Sequence, residues 1–161
     1  MKDEGHIYLI GDFTFPKGGA PTERIKQLAL GFIDNGKKVK IVSLALSNKK
    51  KSNGVLEIEN HKIPYSSNLN NIFWHKHQLR NEGILNKIKW FILSYFGALK
   101  TYKLFRRNQA ISDKDIFLFY GRSFIKLYPF YRLASKNGNK TIFDIVEHLS
   151  VFAGFGNKIN P

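Results

Sequence analysis

The clearest chemical signal in the sequence is a loop that carries two consecutive glycines, Gly18 and Gly19. The loop follows an apolar run that starts at Ile7 and precedes a stretch with helical spacing that starts near Thr22. A glycine pair lets an anion approach the backbone amides, and the first turn of a helix supplies N–H groups that have no partner within the helix. The sequence therefore predicts a phosphate-facing ligand site at this loop, with an ordinary flexible turn as the alternative.

Two later predicted strands bring further polar groups to the same edge of the sheet. Tyr120 ends one of them, and Asp144 ends the other and is followed by Glu147. Open α/β sheets bind their ligands beyond the carboxyl ends of the strands, so we expect Tyr120 and Asp144 to lie near the glycine loop. Asp144 and Glu147 are either an acid/base pair or ordinary caps of the next segment, and their spacing alone does not separate these interpretations.

Alternating strands and amphipathic helices must position these groups. Thr22 is predicted to be the N-cap of the first helix, and Asn35 with Gly36 ends it. The apolar face of that helix consists of Ile25, Leu28, Ala29, Phe32 and Ile33. Further strands are predicted at 39–44, 55–59, 61–65, 116–120 and 140–144, and further helices at 84–107 and 124–134. This order predicts an α/β fold with a Rossmann-like open, mostly parallel sheet and helices on both faces.

The composition fits one domain. The chain has 161 residues, of which 43% are hydrophobic, which is enough for a substantial core. It has no cysteine, and this excludes disulfides and thiolate metal sites. The first residues, from Met1 to Glu4, contain acids and no apolar run, so no secretory signal is predicted and we expect a cytoplasmic location.

Basic residues outnumber acidic ones and are unevenly distributed. Lys and Arg number 26 against 12 Asp and Glu, a formal charge of +14, which predicts attraction to phosphates, nucleic acid or an anionic membrane. Residues 83–112 contain no acid and mix basic with aromatic residues. The basic residues predicted to contact a membrane are Lys87, Lys89, Lys100, Lys103, Arg106 and Arg107. The apolar stripe of this helix, from Ile84 to Tyr102, packs in the core or lies on a membrane interface. Its uninterrupted apolar runs, Trp90–Leu93 and Tyr95–Leu99, are too short to cross a bilayer. No nucleic-acid-binding motif accompanies it, so nucleic acid is not the expected partner.

Two common cofactor sites are disfavoured. Gly11 and the Gly18-Gly19 pair do not make the G-x-G-x-x-G spacing of dinucleotide-binding loops, so NAD is not predicted. His75 and His77 have the spacing of a metal-binding pair, but no further ligand is close in sequence, and solvated histidines are the preferred interpretation. We therefore predict no metal and no resident cofactor.

Four segments, in their order and spacing, resemble the amino-terminal half of a family 4 retaining glycosyltransferase with the GT-B fold. They are the glycine loop with Arg24 (Phe15–Ile25), the end of the first helix (Asn35–Val39), the strand Asp115–Tyr120 and the segment Phe143–Glu147. The resemblance covers most of the chain. It implies that residues 1–161 form a single Rossmann-like, acceptor-side domain and that a carboxyl-terminal donor-binding domain lies outside this sequence.

The resemblance also implies roles for individual residues. Gly18 and Gly19 would bring backbone amides to the diphosphate of a nucleotide-sugar, and Arg24 would contact a phosphate or the acceptor. Many members carry a histidine at the position of Tyr120, so this chain departs from the family there and no catalytic residue is assigned. The substrate-binding residues are then Gly18, Gly19, Arg24, Tyr120, Arg122, Asp144 and Glu147.

As a whole, the resemblance implies a hexosyltransferase-like, retaining enzyme that moves a sugar from a nucleotide-sugar to a polysaccharide or lipid-linked acceptor. Such an enzyme would act in polysaccharide synthesis for the cell envelope, as a peripheral protein on the inner face of the plasma membrane. This chain alone would be inactive. The alternative is a non-catalytic basic α/β module that binds anionic lipid or nucleic acid.

Overall fold

The structure is a computed structural model that describes residues 5–46, 53–68, 84–121 and 123–145. Along these residues the elements are β1 (His6–Gly11), α1 (Ala20–Asp34), β2 (Lys38–Leu46), β3 (Asn53–Ile58), β4 (His61–Asn68), α2 (Ile84–Asn108), β5 (Ile116–Tyr120), α3 (Phe124–Lys136) and β6 (Lys140–Asp144). The last two strands occupy the predicted residues, and the other predicted strands differ from the observed ones only at their ends.

The described strands form one six-stranded sheet in the order β3-β4-β2-β1-β5-β6. Neighbouring strands are parallel except at one edge, where β3 runs antiparallel to β4. Strands β1 and β5 pair in register up to Gly11 and Tyr120, so their carboxyl ends lie side by side. The predicted fold class, a Rossmann-like open and mostly parallel sheet, is confirmed.

Helices cover both faces of the sheet. On one face, Ile25 of α1 belongs to a buried cluster with Leu9 and Ile41. On the other face, Phe105 of α2 belongs to a cluster that also contains Phe117 and the buried side chains of α3. Because β1, β2 and β5 are buried on both faces, their sequences are nearly continuous apolar runs.

Tyr8 lies in the core beneath α2. Its ring centroid is 5.0 Å from those of both Phe105 and Phe117. Burial, with a smaller contribution from the negative charge of Asp115, raises the pKa of Tyr8 to about 12.

We expect this phenol to make the fold less stable as the pH rises from 10 to 12. The folded pKa lies above the unfolded value of 10.0, so the unfolded chain loses its proton first and alkaline pH favours unfolding. The loss attributable to Tyr8 is about 1 kcal/mol at pH 11. Urea unfolding of the wild type and of Tyr8→Phe at several pH values between 8 and 11 tests this. Equal pH dependence in the two proteins would contradict the prediction.

Among the described side chains of α2, the buried ones start at Ser94. The side that faces the sheet carries Ser94, Ala98, Thr101 and Phe105, all of them buried. The core interpretation of the stripe from Ile84 to Tyr102 is wrong for the first turns, where the apolar side chains are exposed. These exposed stripe residues are Ile84, Ile88 and Phe91. Among the described helices, none is long and apolar enough to span a membrane.

Candidate functional site

The connections that follow β1 and β5 leave the carboxyl ends of these neighbouring strands toward opposite faces of the sheet. After β1 the chain passes to α1 on one face, and after β5 it passes to α3 on the opposite face. Loops that diverge in this way leave a crevice between them, and open α/β sheets bind ligands at that position. We call it the switch-point crevice. The glycine loop lies on one side of it, and Gly121 and Ser123 lie on the other.

The loop between β1 and α1 is anchored by side chains. The hydroxyl of Ser43 donates a hydrogen bond to the carbonyl of Phe13, and the hydroxyl of Thr22 donates to the carbonyl of Thr14 at 2.5 Å. The N-cap of α1 is Gly19. The prediction that Thr22 is the N-cap is therefore wrong, because its buried side chain bonds to the loop instead.

The two glycines of the loop have different surroundings. At Gly18 an added Cβ would lie 2.0 Å from the hydroxyl oxygen of Thr22 and 2.8 Å from the carbonyl oxygen of Thr14. At Gly19 the nearest atom to an added Cβ is Cδ of Pro21 at 4.0 Å. Gly18 therefore lets the loop pack closely against α1, whereas Gly19 leaves open space at the first turn of the helix.

Arg24 reaches from α1 to the ends of β5 and β6. Its Nη2 donates to both carboxylate oxygens of Asp144, at 3.1 and 3.3 Å. Its guanidinium carbon lies 5.9 Å from the ring centroid of Tyr120, which is buried. The backbone N–H of Gly121 donates to the carbonyl oxygen of Asp144 at 3.2 Å. The structure thus brings Arg24, Tyr120 and Asp144 together at the edge where the sequence places the last two.

The guanidinium of Arg24 retains hydrogen-bond donors. It carries five N–H groups, and Asp144 engages only one of its nitrogens. Within the part of the chain that the structure describes, the other nitrogens make no hydrogen bond. Because about half of the Arg24 side chain is exposed, an anion could bind these donors while the pair with Asp144 remains.

A second charged group lies on the other side of the crevice. Oδ2 of Asp12, the residue directly after β1, accepts hydrogen bonds from Oγ of Ser123 at 2.7 Å and from Nζ of Lys126 at 2.6 Å. The side chain of Lys126 is 4% exposed and that of Asp12 is 21% exposed. These bonds join the end of β1 to the start of α3, so they fix the two walls of the switch-point crevice relative to each other.

The sequence gives little indication of this second group. Asp12 follows an apolar strand directly, as Asp144 does, and that position could have identified it as a residue of the edge. Lys126 carries no such signal, because it lies within an amphipathic helix and its partner is 114 residues away in the chain.

Two pairs of described charges compensate each other at the carboxyl ends of the strands, whereas Lys17 of the glycine loop is exposed. Arg24 pairs with Asp144, and Lys126 pairs with Asp12. A diphosphate in the crevice would therefore meet backbone amides, the remaining donors of Arg24 and the exposed Lys17 of the loop. In the described ranges, no group of three or more His, Asp or Glu side chains is arranged to hold a metal ion.

Several predicted residues lie outside the described part of the chain. They are Arg122, Glu147, His75 and His77. Lys87 belongs to α2, but the structure does not describe its side chain. The other basic residues of that helix are exposed, namely Lys89, Lys100, Lys103, Arg106 and Arg107.

Comparisons with known proteins leave the family of this chain open. No protein-family model matches it, and no curated protein is similar to it by sequence. A solved structure described as "Trehalose-6-phosphate from E. coli bound with UDP-2-fluoro glucose" is similar, with a TM-score of 0.43 and 15% sequence identity. The similarity covers 86% of this chain and 32% of the other, so this chain spans about a third of that protein's length. A TM-score below 0.5 assigns neither a family nor a function.

Proposed function

We propose that this chain is the acceptor-side domain of a glycosyltransferase that moves a sugar from a nucleotide-sugar to a polysaccharide or lipid-linked acceptor. The proposal rests on one observation at the switch-point crevice. The glycine loop leads into α1, and Arg24 of α1 donates hydrogen bonds to Asp144 at the end of β6. The resemblance of the same segments to family 4 glycosyltransferases is the second support. Retaining, hexosyltransferase-like chemistry without a metal belongs to this proposal.

The proposed roles follow from the groups that each residue offers. Gly19 leaves room at the amino end of α1, where the helix dipole and the N–H of Ala20 favour a diphosphate. Pro21 has no N–H group, and those of Thr22 and Glu23 bond to the carbonyl oxygen of Gly19. The remaining donors of Arg24 add a charge-assisted contact to the same anion or to the acceptor. Asp144 offers carboxylate oxygens to a sugar hydroxyl, beside the ring of Tyr120. Arg122 and Glu147 are proposed as further acceptor contacts from their positions in the sequence.

The proposal assigns most of the donor affinity to a second domain. Arg24 and Lys126 already pair with carboxylates at the crevice, which lowers the attraction that these two cations offer to a diphosphate. The isolated chain should therefore bind nucleotide-sugars only at the millimolar level or more weakly, by order of magnitude. Leaving-group charge would be stabilised only when both domains hold the diphosphate and the acceptor hydroxyl is in place.

We expect weak nucleotide binding to be localised to the crevice. Titration of the nitrogen-15-labelled chain with UDP-glucose or GDP-mannose should shift the amide signals of residues 18–20, 22–24, 121 and 144 at millimolar ligand. Gly19→Val should remove these shifts, because a side chain at 19 meets open space where the ligand would bind. It should lower Tm only slightly, since valine is a poorer N-cap than glycine but overlaps no neighbouring atom.

Gly31→Ala is the matched control. Gly31 lies on the exposed side of the same helix and has no atom within 4 Å of an added Cβ, so the shifts should persist in this variant. Micromolar binding of a nucleotide-sugar would overturn the division of roles between the domains. Millimolar titration without any shift at the crevice would overturn the proposal and favour a non-catalytic basic module.

A further inference from the structure

The first half of α2 presents large apolar side chains to solvent. Ile84 is 76% exposed, Leu85 75% and Phe96 60%. Among the described side chains of this half of the helix, the exposed large apolar ones are Ile84, Leu85, Ile88, Phe91, Ile92 and Phe96. A contiguous apolar surface of this kind marks an interaction site, whereas scattered exposed apolar residues do not.

This apolar surface lies at the carboxyl ends of the strands, the same end of the sheet as the switch-point crevice. The carboxyl end of α2 lies at the amino ends of the strands, where Gln109 accepts a hydrogen bond from Lys40 near the start of β2. A helix of 25 residues is about 37 Å long, whereas the nine residues of β2, on which α2 packs, span about 30 Å. Since α2 packs on the sheet through residues 94–105, its first turns extend beyond the carboxyl ends of the strands.

The second half of α2 carries positive charge on the same outer side. Lys100, Lys103, Arg106 and Arg107 are all exposed. At about 100° per residue the exposed apolar positions span an arc of about 140°, and these four basic positions fall within or next to it. The whole helix contains no acid. The outer side of α2 is therefore apolar over its first half and cationic over its second half, and we call it the α2 outer face.

We propose that the α2 outer face docks the domain on an anionic lipid bilayer. The apolar turns enter the interface between headgroups and acyl chains, and the basic residues that follow bind lipid phosphates. Charge complementarity favours an anionic lipid surface over a nucleic acid or a protein as the partner of this face. Nucleic acid has no binding surface for six adjacent apolar side chains, and protein interfaces are depleted in lysine at their centres.

Docking through this face places the switch-point crevice at the membrane. The apolar turns of α2 extend from the edge at which β1 and β5 end, so a bound bilayer lies next to the loops of the crevice. If the proposed function holds, on which this step rests, the acceptor is a lipid-linked glycan whose reacting hydroxyl stays close to the headgroups.

Co-sedimentation with vesicles tests the docking surface without nucleotide or activity. The probes are vesicles of phosphatidylcholine with 30% phosphatidylglycerol, and of phosphatidylcholine alone, at low and high salt. The wild type should bind the anionic vesicles at low salt and be released at high salt. Each basic residue near an anionic surface changes partitioning about fivefold, so replacing Lys100, Lys103, Arg106 and Arg107 by Glu should weaken binding at least about a hundredfold.

A matched control changes the same net charge elsewhere. Lys38, Lys114, Lys136 and Lys140 are exposed near the opposite edge of the sheet, and replacing these four by Glu should cost far less binding. Equal losses in the two quadruple variants would overturn the proposal, because only net charge would then matter.

A label reports whether the apolar turns enter the bilayer. The chain has no cysteine, so Ile88→Cys carries an environment-sensitive fluorophore at one position, and Asn137→Cys serves as the control. Anionic vesicles should shift the emission of the label at 88 to shorter wavelength and leave that at 137 unchanged. Absence of the shift at 88 would overturn insertion.

A second copy of the chain or a nucleic acid on the α2 outer face would give different results in these experiments. Self-association that is lost in Ile84→Ser/Leu85→Ser/Ile88→Ser would assign the face to a second copy of the chain and overturn lipid docking. Stronger binding to duplex DNA than to anionic vesicles at the same salt would also overturn it. Vesicle binding with no nucleotide shifts at the crevice would support docking and reject the proposed enzymatic function, so the two can fail separately.

Discussion

Asp12→Asn is expected to lower the free energy of unfolding by about 3 kcal/mol, equivalent to about 10 °C in Tm. The substitution keeps the size of the side chain but removes the negative charge 2.6 Å from the ammonium of Lys126. Because Lys126 is almost fully buried, its charge keeps the cost of leaving water and loses a charged partner. Urea unfolding at neutral pH measures the difference.

Two further variants identify the cause of this loss. Glu23 and Lys26 form an ion pair of similar length, 2.8 Å, but the side chain of Glu23 is 60% exposed, so Glu23→Gln should change stability by less than about 0.5 kcal/mol. Asp12→Asn combined with Lys126→Met should be more stable than Asp12→Asn alone, because no charge then remains buried. If Asp12→Asn cost no more than Glu23→Gln, the buried pair would not stabilise the crevice.

Local signals in the sequence were sufficient for most of the fold. Strand β5 is an apolar run between Asp115 and Gly121, and β6 follows a helix end at Asn137 and Gly138. Both strands occur where they were predicted, because polar and turn-forming residues mark their ends. The parallel pairing of β1 with β2 and of β5 with β6 could also be inferred, since a helix joins the two strands of each pair.

The surroundings of α2 could not be inferred from its apolar pattern. Apolar periodicity identifies a helix face but does not show which part of it another element covers. The side of α2 that packs on the sheet contains Ser94, Gly97 and Ala98, small residues that permit close approach but add little to an apolar pattern. The larger apolar residues earlier in the helix extend past the sheet, so they remain exposed.

Contacts distant in sequence account for the remaining differences at the site. Thr22 has the residue type and position of an N-cap, but the loop before it folds back and accepts its hydroxyl hydrogen bond. Lys126 is buried by a contact with the end of β1 that no local spacing encodes. The sequence did place Tyr120 and Asp144 at one edge, because the carboxyl ends of parallel strands meet there. Their functional roles stay predictions.

Gly18→Ala is expected to destabilise the protein by about 2 to 3 kcal/mol, the upper part of the range for overpacking. The added Cβ would overlap the hydroxyl of Thr22 at 2.0 Å and the carbonyl of Thr14 at 2.8 Å. These groups cannot move apart freely, because the hydrogen bond between them anchors the loop to α1. Relief therefore requires the loop to shift from the helix, and thermal unfolding should show a lower Tm.

Gly19→Ser is the matched control for this loop. The neighbouring glycine is the N-cap of α1 with a φ of −89°, which any residue adopts, and an added side chain there meets open space. Serine is a preferred N-cap residue, so stability should be unchanged or slightly higher. Adding Thr22→Ala to Gly18→Ala should cost less than the sum of the single variants, because it removes the nearer overlapping oxygen. A Tm for Gly18→Ala equal to that of Gly19→Ser would contradict close packing at Gly18 and leave the loop an ordinary flexible turn.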